Sequence, residues 1–129
     1  MPSILLVEDD PVQRDFISRI LQKSGYEVLF ALNGTEGVRV ATTSYPDLIL
    51  MDALLPEMNG LEAAHQLKMQ TATRHIPIIM LTAYVLIDAL MAKTYGCDDF
   101  EMKPINFPAL LAKISRLCSP SLAAEFGTM

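Results

Sequence analysis

Acidic residues that directly follow apolar runs are the most informative chemical feature of this sequence. Glu8, Asp9 and Asp10 follow one such run, and Asp52 follows another. Carboxylates held within a few ångström of one another repel, and the repulsion grows where the dielectric constant is low. A cluster of Glu8, Asp9 and Asp52 would therefore need a cation, and hard oxygen ligands favour Mg²⁺. Ordinary loop caps are the alternative interpretation of the acidic run.

A hydroxyl group follows a further apolar run, and an ammonium group follows a short predicted strand. Thr82 comes after residues 76–81, and Lys103 comes after residues 99–102. The lysine brings a point charge that suits a phosphoryl oxygen. Pro104 follows it, and an X-Pro bond here could be cis and would fix the direction of the lysine. Taken singly, the threonine is more typical of a helix cap and the Lys-Pro pair of a surface turn.

The elements that must position these groups alternate along the chain. Short apolar runs predict strands buried on both faces, and segments with helical spacing separate them. The predicted strands are residues 3–7, 26–31, 47–51, 76–81 and 99–102, and the predicted helices are residues 11–24, 34–43, 60–69, 85–95 and 106–117, with Asn33 and Asn106 as caps. Strict alternation predicts a parallel sheet with helices on both sides. Chemistry in such sheets lies at the carboxyl ends of the strands, where the acids, the hydroxyl and the ammonium would meet.

The composition excludes several classes of protein. With 129 residues, 51% of them apolar and 19% charged, the chain is expected to form one globular domain over residues 1–118, followed by a short tail at 119–129. A net charge of −5 argues against a primary nucleic-acid binder. Cys97 and Cys118 are too few for a disulfide framework or a cysteine-rich metal site. We expect neither a membrane span nor a signal peptide, and a cytoplasmic location.

Several short motifs occur together in an order that is typical of one protein family. They are residues 4–10 (ILLVEDD), residues 46–52 (PDLILMD), Leu55-Pro56 with Asn59-Gly60, Leu81-Thr82-Ala83, and Lys103-Pro104. The chain resembles the receiver domain of two-component response regulators, in a chemotaxis-regulator-like form, from about Ser3 to Leu117. This resemblance implies a flavodoxin-like, doubly wound, five-stranded parallel sheet in the order 2-1-3-4-5, with five helices.

The resemblance also implies an acceptor and a metal site. Asp52 matches the phosphoacceptor of the family. Mg²⁺ would be bound directly by Asp9 and Asp52, through water by Glu8, and by the backbone carbonyl of Leu54. Asp10, one residue beyond the acidic pair, is expected to take no part.

The remaining implied roles concern the response to phosphorylation. Thr82 and Phe100 match the hydroxyl and the aromatic ring that move together, and Lys103 matches the lysine that binds the phosphoryl group. Leu54 and Tyr84 match the positions that flank the path of the hydrolytic water. Neither is well suited to hold that water, so we predict slow loss of the phosphoryl group.

The implied function is a phosphorylation-dependent switch and not a conventional turnover enzyme. Asp52 would accept a phosphoryl group from a phosphohistidine of a sensor histidine kinase or a histidine phosphotransfer protein. The domain would promote its own aspartyl phosphorylation and dephosphorylation. Output would pass to a protein target through the face made by the fourth helix, the fifth strand and the last helix, which could also support a homodimer. No direct nucleic-acid or membrane partner is expected.

Two features of the chain depart from the family pattern. The spacing from Thr82 to Lys103 is one residue shorter than the commonest one, and residues 84–91 are unusually apolar. An exposed apolar helix would provide a docking surface for a partner or a dimer mate. The alternative is a shifted or shortened helix whose apolar residues enter the core.

Other functions on a similar fold are less compatible with these residues. A protein-interaction module with an unused, unphosphorylated site is the main alternative, and the complete set of site residues argues against it. A haloacid-type phosphatase would need a second aspartate two positions after its nucleophile, where Leu54 stands. A flavin phosphate would be repelled by the acids at residues 8–10.

Overall fold

Five strands alternate with five helices in the computed structural model, which describes residues 1–83 and 87–118. The strands are β1 (Ser3–Val7), β2 (Glu27–Ala31), β3 (Leu48–Asp52), β4 (Ile78–Thr82) and β5 (Asp99–Met102). The helices are α1 (Pro11–Lys23), α2 (Gly34–Ser44), α3 (Gly60–Met69), α4 (Ala89–Thr94) and α5 (Phe107–Cys118). The strands form a parallel sheet in the order β2-β1-β3-β4-β5. The predicted architecture and strand order are confirmed.

Each central strand is buried on both of its faces. Successive side chains of a strand point to opposite sides of the sheet, and Ile4, Leu5, Leu6 and Val7 are all fully buried. Leu5 and Val7 pack in the layer beneath α2 and α3, whereas Ile4 and Leu6 pack in the layer beneath α1 and α5. Burial on both sides explains why the strands are uninterrupted apolar runs. None of the helices within the described ranges is long and apolar enough to span a bilayer.

Side-chain caps begin the helices that follow the strands. Asn33 and Asn106, the predicted caps, accept hydrogen bonds from the backbone N–H groups of residues 36 and 109 at 2.7 and 3.1 Å. Asp10 caps α1 by accepting a hydrogen bond from the N–H of Val12 at 3.0 Å. The loop-cap interpretation of the acidic run therefore applies to Asp10.

Helix α4 is shorter than the prediction of residues 85–95. It begins at Ala89, because the side chain of Asp88 caps it by accepting a hydrogen bond from the N–H of Met91 at 2.9 Å. Ile87 precedes the helix and is buried in the core. The predicted start is thus wrong for Ile87 and Asp88, while residues 84–86 and the predicted tail at 119–129 lie outside the described residues.

Gly60 allows α3 to pack closely against the end of β3. A Cβ atom at this position would lie 2.0 Å from the backbone oxygen of Asp52, much closer than any real contact. Backbone atoms at the end of a central strand cannot move aside without distorting the sheet. The lack of a side chain at Gly60 therefore allows α3 to contact the main chain at Asp52.

Replacement of Gly60 by alanine should lower the free energy of unfolding by about 3 kcal/mol, the upper end of the usual cost of overpacking, because the added methyl group would meet backbone atoms. Gly37→Ala is the matched control. Its Cβ would meet a γ-methyl group of Val7 at 3.0 Å, so that a side chain rather than the backbone would have to move, by a few tenths of an ångström. Urea denaturation should show a loss below about 1 kcal/mol for Gly37→Ala, where better helix propensity offsets the contact. Equal stability of the two variants would contradict the role of Gly60.

Candidate functional site

The site lies at the carboxyl edge of the sheet, where the predicted residues come together. Asp52 and Thr82 are the last residues of β3 and β4, and Glu8 and Lys103 directly follow β1 and β5. Backbone hydrogen bonds continue past the strand ends: the N–H of Glu8 donates to the carbonyl of Ala31 at 3.0 Å, and that of Lys103 donates to Thr82 at 2.7 Å. These bonds position the functional side chains.

Three carboxylates form a cluster at this edge. Glu8, Asp9 and Asp52 each provide one carboxylate oxygen, and the three oxygens lie within 4.8 Å of one another. Glu8 is 1% exposed and Asp52 is 8% exposed, whereas Asp9 faces solvent. Burial raises the pKa of Glu8, and the charge of Asp52 raises it further, although the hydrogen bond from Lys103 acts in the opposite direction. Such a group of hard oxygen ligands could hold a divalent cation.

Lys103 places a positive charge within this cluster. Its Nζ atom donates hydrogen bonds to Glu8 Oε1 at 2.9 Å, Asp52 Oδ2 at 3.2 Å and Gln13 Oε1 at 2.6 Å. Burial alone would lower the pKa of Lys103, but the hydrogen bond with Glu8 and the negative charge of Asp52 outweigh it, and the pKa is raised. The ammonium group therefore stays charged and offsets part of the carboxylate repulsion.

Thr82 and Phe100 lie on the neighbouring strands β4 and β5. Thr82 is fully buried and pairs in the sheet with Met102, while Phe100 is partly buried and packs against the core layer beneath α2 and α3. The Lys103-Pro104 peptide bond is cis, as the sequence suggested. Thr82 thus ends the strand next to that of Asp52, whereas Phe100 lies two strands away from Asp52. Their coupled movement stays a prediction.

Leu54 lies two residues after Asp52. Its backbone N–H donates to Asp52 Oδ1 at 3.1 Å, and its apolar side chain is 55% exposed. It stays a prediction that the carbonyl group of Leu54 binds the metal. It also stays a prediction that its side chain affects the lifetime of the phosphoryl group. Tyr84, the other predicted lifetime residue, lies outside the described residues.

The sequence analysis missed two residues of α1 that contact the site. Gln13 contacts Lys103, and the Nη1 atom of Arg14 donates to the backbone oxygen of Glu8 at 3.1 Å. Both lie within about one turn of the cap Asp10, so the sequence already indicated that they lie near the strand ends. A glutamine in a first helical turn nevertheless has no chemical signature of its own.

The apolar residues around α4 fit both interpretations given above, since some are exposed as a docking surface would be and others are buried in the core. Leu90 is 73% exposed and Met91 is 38% exposed, whereas Ile87 and Ala92 are buried in the core. Tyr95 follows the last residue of this helix. Its ring packs edge to face against that of His65, with 6.3 Å between the ring centroids. Some apolar residues thus enter the core and others form an exposed patch.

Comparison with known proteins agrees with this geometry. The sequence profile of the response regulator receiver domain matches residues 4–115. The chain belongs to this family. It is 37% identical over 113 residues to the polar-differentiation response regulator DivK of Brucella anthropi, covering 87% of this chain and 92% of DivK. It is 36% identical over 118 residues to the DNA-binding dual master transcriptional regulator RpaA of Synechocystis, covering 91% of this chain but only 49% of RpaA.

Solved receiver domains share the fold of this receiver. The signal receiver domain of a histidine kinase from Syntrophus aciditrophicus is 36% identical, with a TM-score of 0.84 and coverage of 95% of this chain and 99% of that one. The receiver domain of sensor histidine kinase PA1611 from Pseudomonas aeruginosa has a magnesium ion coordinated in its active-site cleft; it is 35% identical, with a TM-score of 0.84 and coverage of 91% and 97%. The response regulator TrrA of Thermotoga maritima, in complex with Mg²⁺ and BeF, is 32% identical, with a TM-score of 0.83 and coverage of 91% and 99%.

Proposed function

We propose that this receiver domain, taken as residues 1–118, is a phosphorylation-dependent switch whose acceptor is Asp52. The donor is a phosphohistidine of a sensor histidine kinase or a histidine phosphotransfer protein. One observation carries the proposal: the Asp52 carboxylate lies in an acidic cluster and also 3.2 Å from the ammonium group of Lys103. A carboxylate nucleophile beside a cation is the arrangement that phosphoryl transfer requires.

The chain's own residues support each part of the transfer. The N–H of Leu54 and the ammonium group of Lys103 hold the two oxygens of Asp52, so the carboxylate has a defined orientation. One of these oxygens attacks phosphorus in line; the N–P bond breaks and its electron pair leaves with the imidazole, which gives an acyl phosphate. Lys103 then neutralises charge on the equatorial oxygens.

The cluster of Glu8, Asp9 and Asp52 fits Mg²⁺ as the cofactor. Oxygen ligands of this type and number suit a small, hard cation that keeps several waters. Mg²⁺, when bound, supplies positive charge to the phosphoryl oxygens. Asp9 and Asp52 would be direct ligands, Glu8 a ligand through water, and Leu54 a ligand through its carbonyl group. The magnesium ion in the receiver domain of PA1611 supports this assignment.

Mg²⁺ at millimolar concentration should shift the backbone amide signals of Asp9 and Asp52 in an NMR titration. Asp9→Asn should weaken binding by at least about tenfold, because it removes a charged ligand. Asp10→Asn is the matched control, since asparagine still caps α1 and Asp10 is not in the cluster. An unshifted spectrum, or an equal loss in both variants, would remove the metal assignment.

Acetyl phosphate with Mg²⁺ should add one phosphoryl group to the native chain and none to Asp52→Asn, which keeps the side-chain size but loses the nucleophile. Mass spectrometry measures the label. Asp15→Asn, at an exposed position of α1, should be labelled like the native chain. A labelled Asp52→Asn variant would show that another residue is the acceptor. A native chain that neither takes the label nor binds beryllofluoride would favour the interaction module with an unused site.

The phosphoryl group on Asp52 should be lost slowly, with a half-life of minutes or longer. Hydrolysis needs a water in line with the acyl phosphate, and the exposed Leu54 side chain has no group to hold one. Leu54→Asn should speed phosphate release by at least about threefold, since the amide can bind the water. Leu54→Ala opens the same space without a polar group and should stay close to native. Release within seconds from the native chain would contradict this assignment.

Output is proposed to pass through the face formed by α4, β5 and α5. Thr82 and Lys103 would read the charge of the phosphoryl group, and Phe100 would turn inward. The exposed Leu90 and Met91 make the α4 part of this face suitable for a protein partner or a second copy.

Hydrogen exchange with and without beryllofluoride should therefore change in α4 and β5, because these elements contain or adjoin the switch residues. Protection in α2, which packs on β1 and β2 near the opposite edge of the sheet, is the internal control and should stay constant. A change confined to α2 would place the output face elsewhere.

A further inference from the structure

Gln13 connects helix α1 to the lysine of the site. Its Oε1 atom accepts a hydrogen bond from Lys103 Nζ at 2.6 Å, and its Nε2 atom donates to Asp10 Oδ2 at 3.2 Å. An ammonium group can only donate and a carboxylate can only accept, so the two partners determine which end of the amide faces each of them. The amide orientation is therefore set by chemistry on both sides.

The three contacts of Lys103 have different consequences for the reaction. An ammonium group has three N–H donors, which here point to Glu8, Gln13 and the acceptor Asp52. Two of these contacts, with Glu8 and Gln13, thus hold the lysine through residues that do not themselves react. Since Gln13 is neutral, its contact with Lys103 adds no further negative charge beside Glu8, Asp9 and Asp52, where an anionic phosphoryl group must enter.

Gln13 is also the polar group on one open side of the lysine. A cleft of about 420 Å³ lies next to Lys103, between α1 and the segment that leads into α5. Its other lining is mostly apolar and consists of Phe16, Ile17, Ala83, Pro104, Ile105 and Phe107. An ammonium group that turned toward this cleft would meet few acceptors other than Gln13. Its amide therefore restrains the lysine on the cleft side.

We propose that Gln13 is a positioning residue for phosphoryl transfer to Asp52, acting through Lys103. This inference rests on the proposed function. During transfer, Glu8 and Gln13 keep two N–H groups of the lysine, and the third moves from Asp52 Oδ2 to a phosphoryl oxygen. A donor that is already oriented stabilises the developing charge without reorganisation at the moment of reaction.

The test compares Gln13→Leu, Gln13→Glu and Gln22→Leu with the native chain. Gln22 is an exposed glutamine on the same helix and serves as the matched control. Gln13→Leu should slow labelling by acetyl phosphate about three- to tenfold, as expected for one lost hydrogen bond to a charged group at a partly exposed site. NMR of the Lys103 ammonium group gives a second readout, and its signal should shift or exchange faster in Gln13→Leu. Gln13→Glu should retain that signal and still react slowly, because its charge opposes the phosphoryl group.

Urea denaturation controls for a merely structural effect. The free energy of unfolding should be the same in Gln13→Leu and Gln22→Leu. Labelling of Gln13→Leu at the rate of Gln22→Leu, or an unchanged ammonium signal, would overturn the role of Gln13 and leave the proposed function intact. A native chain that takes no label would overturn the proposed function, and with it a role of Gln13 in transfer. Only slower labelling together with an altered ammonium signal supports the inference.

Discussion

The attraction between Lys103 and two buried carboxylates is the interaction on which the site depends. Glu8 and Asp52 are almost fully buried, and carboxylates at such a place are unfavourable unless a cation or hydrogen bonds compensate them. Lys103 supplies the cation from a position 95 residues after Glu8 in the chain. Removal of the lysine would leave two like charges in a poorly solvated pocket, which is more costly than loss of a surface ion pair. The same charges make the pocket receptive to a divalent cation.

The sheet is what makes this concentration of charge possible. Parallel pairing brings the ends of β1, β3, β4 and β5 to one edge, and hydrogen bonds such as that from Ala53 N–H to the Leu81 carbonyl at 2.9 Å hold those ends in register. Close packing of α3 at Gly60 leaves no room for a side chain against the main chain of Asp52. The two carboxylate oxygens of Asp52 accept hydrogen bonds from the N–H of Leu54 and from Lys103. Donors that are already oriented stabilise developing charge without reorganisation.

The two helices that flank β5 are held in different ways. Lys113 of α5 pairs with Glu101 at 2.8 Å and with Asp99 at 3.5 Å, and Arg116 pairs with Asp99 at 2.6 Å. Burial alone would lower the pKa of Lys113, but the hydrogen bond with Glu101 and the charge of Asp99 outweigh it and the pKa is raised. Helix α4 is short and packs through apolar residues such as Ala92. Ion pairs thus connect α5 to the strand that carries Phe100, whereas the contacts of α4 within the described residues include apolar packing in the core.

The sequence by itself determined the features that depend on local pattern. Strands buried on both faces must be continuously apolar, so their places and the acids that follow them were readable, and Asn33 and Asn106 marked helix starts through capping. Only the tertiary structure decided where α4 begins, because an apolar run looks the same whether a residue such as Ile87 enters the core or lies on a helix. It also decided that Gln13 meets Lys103, since that contact joins residues 90 apart and glutamine has no distinctive pattern. Local propensity acts over a few residues, whereas such contacts exist only once the sheet has brought distant segments together.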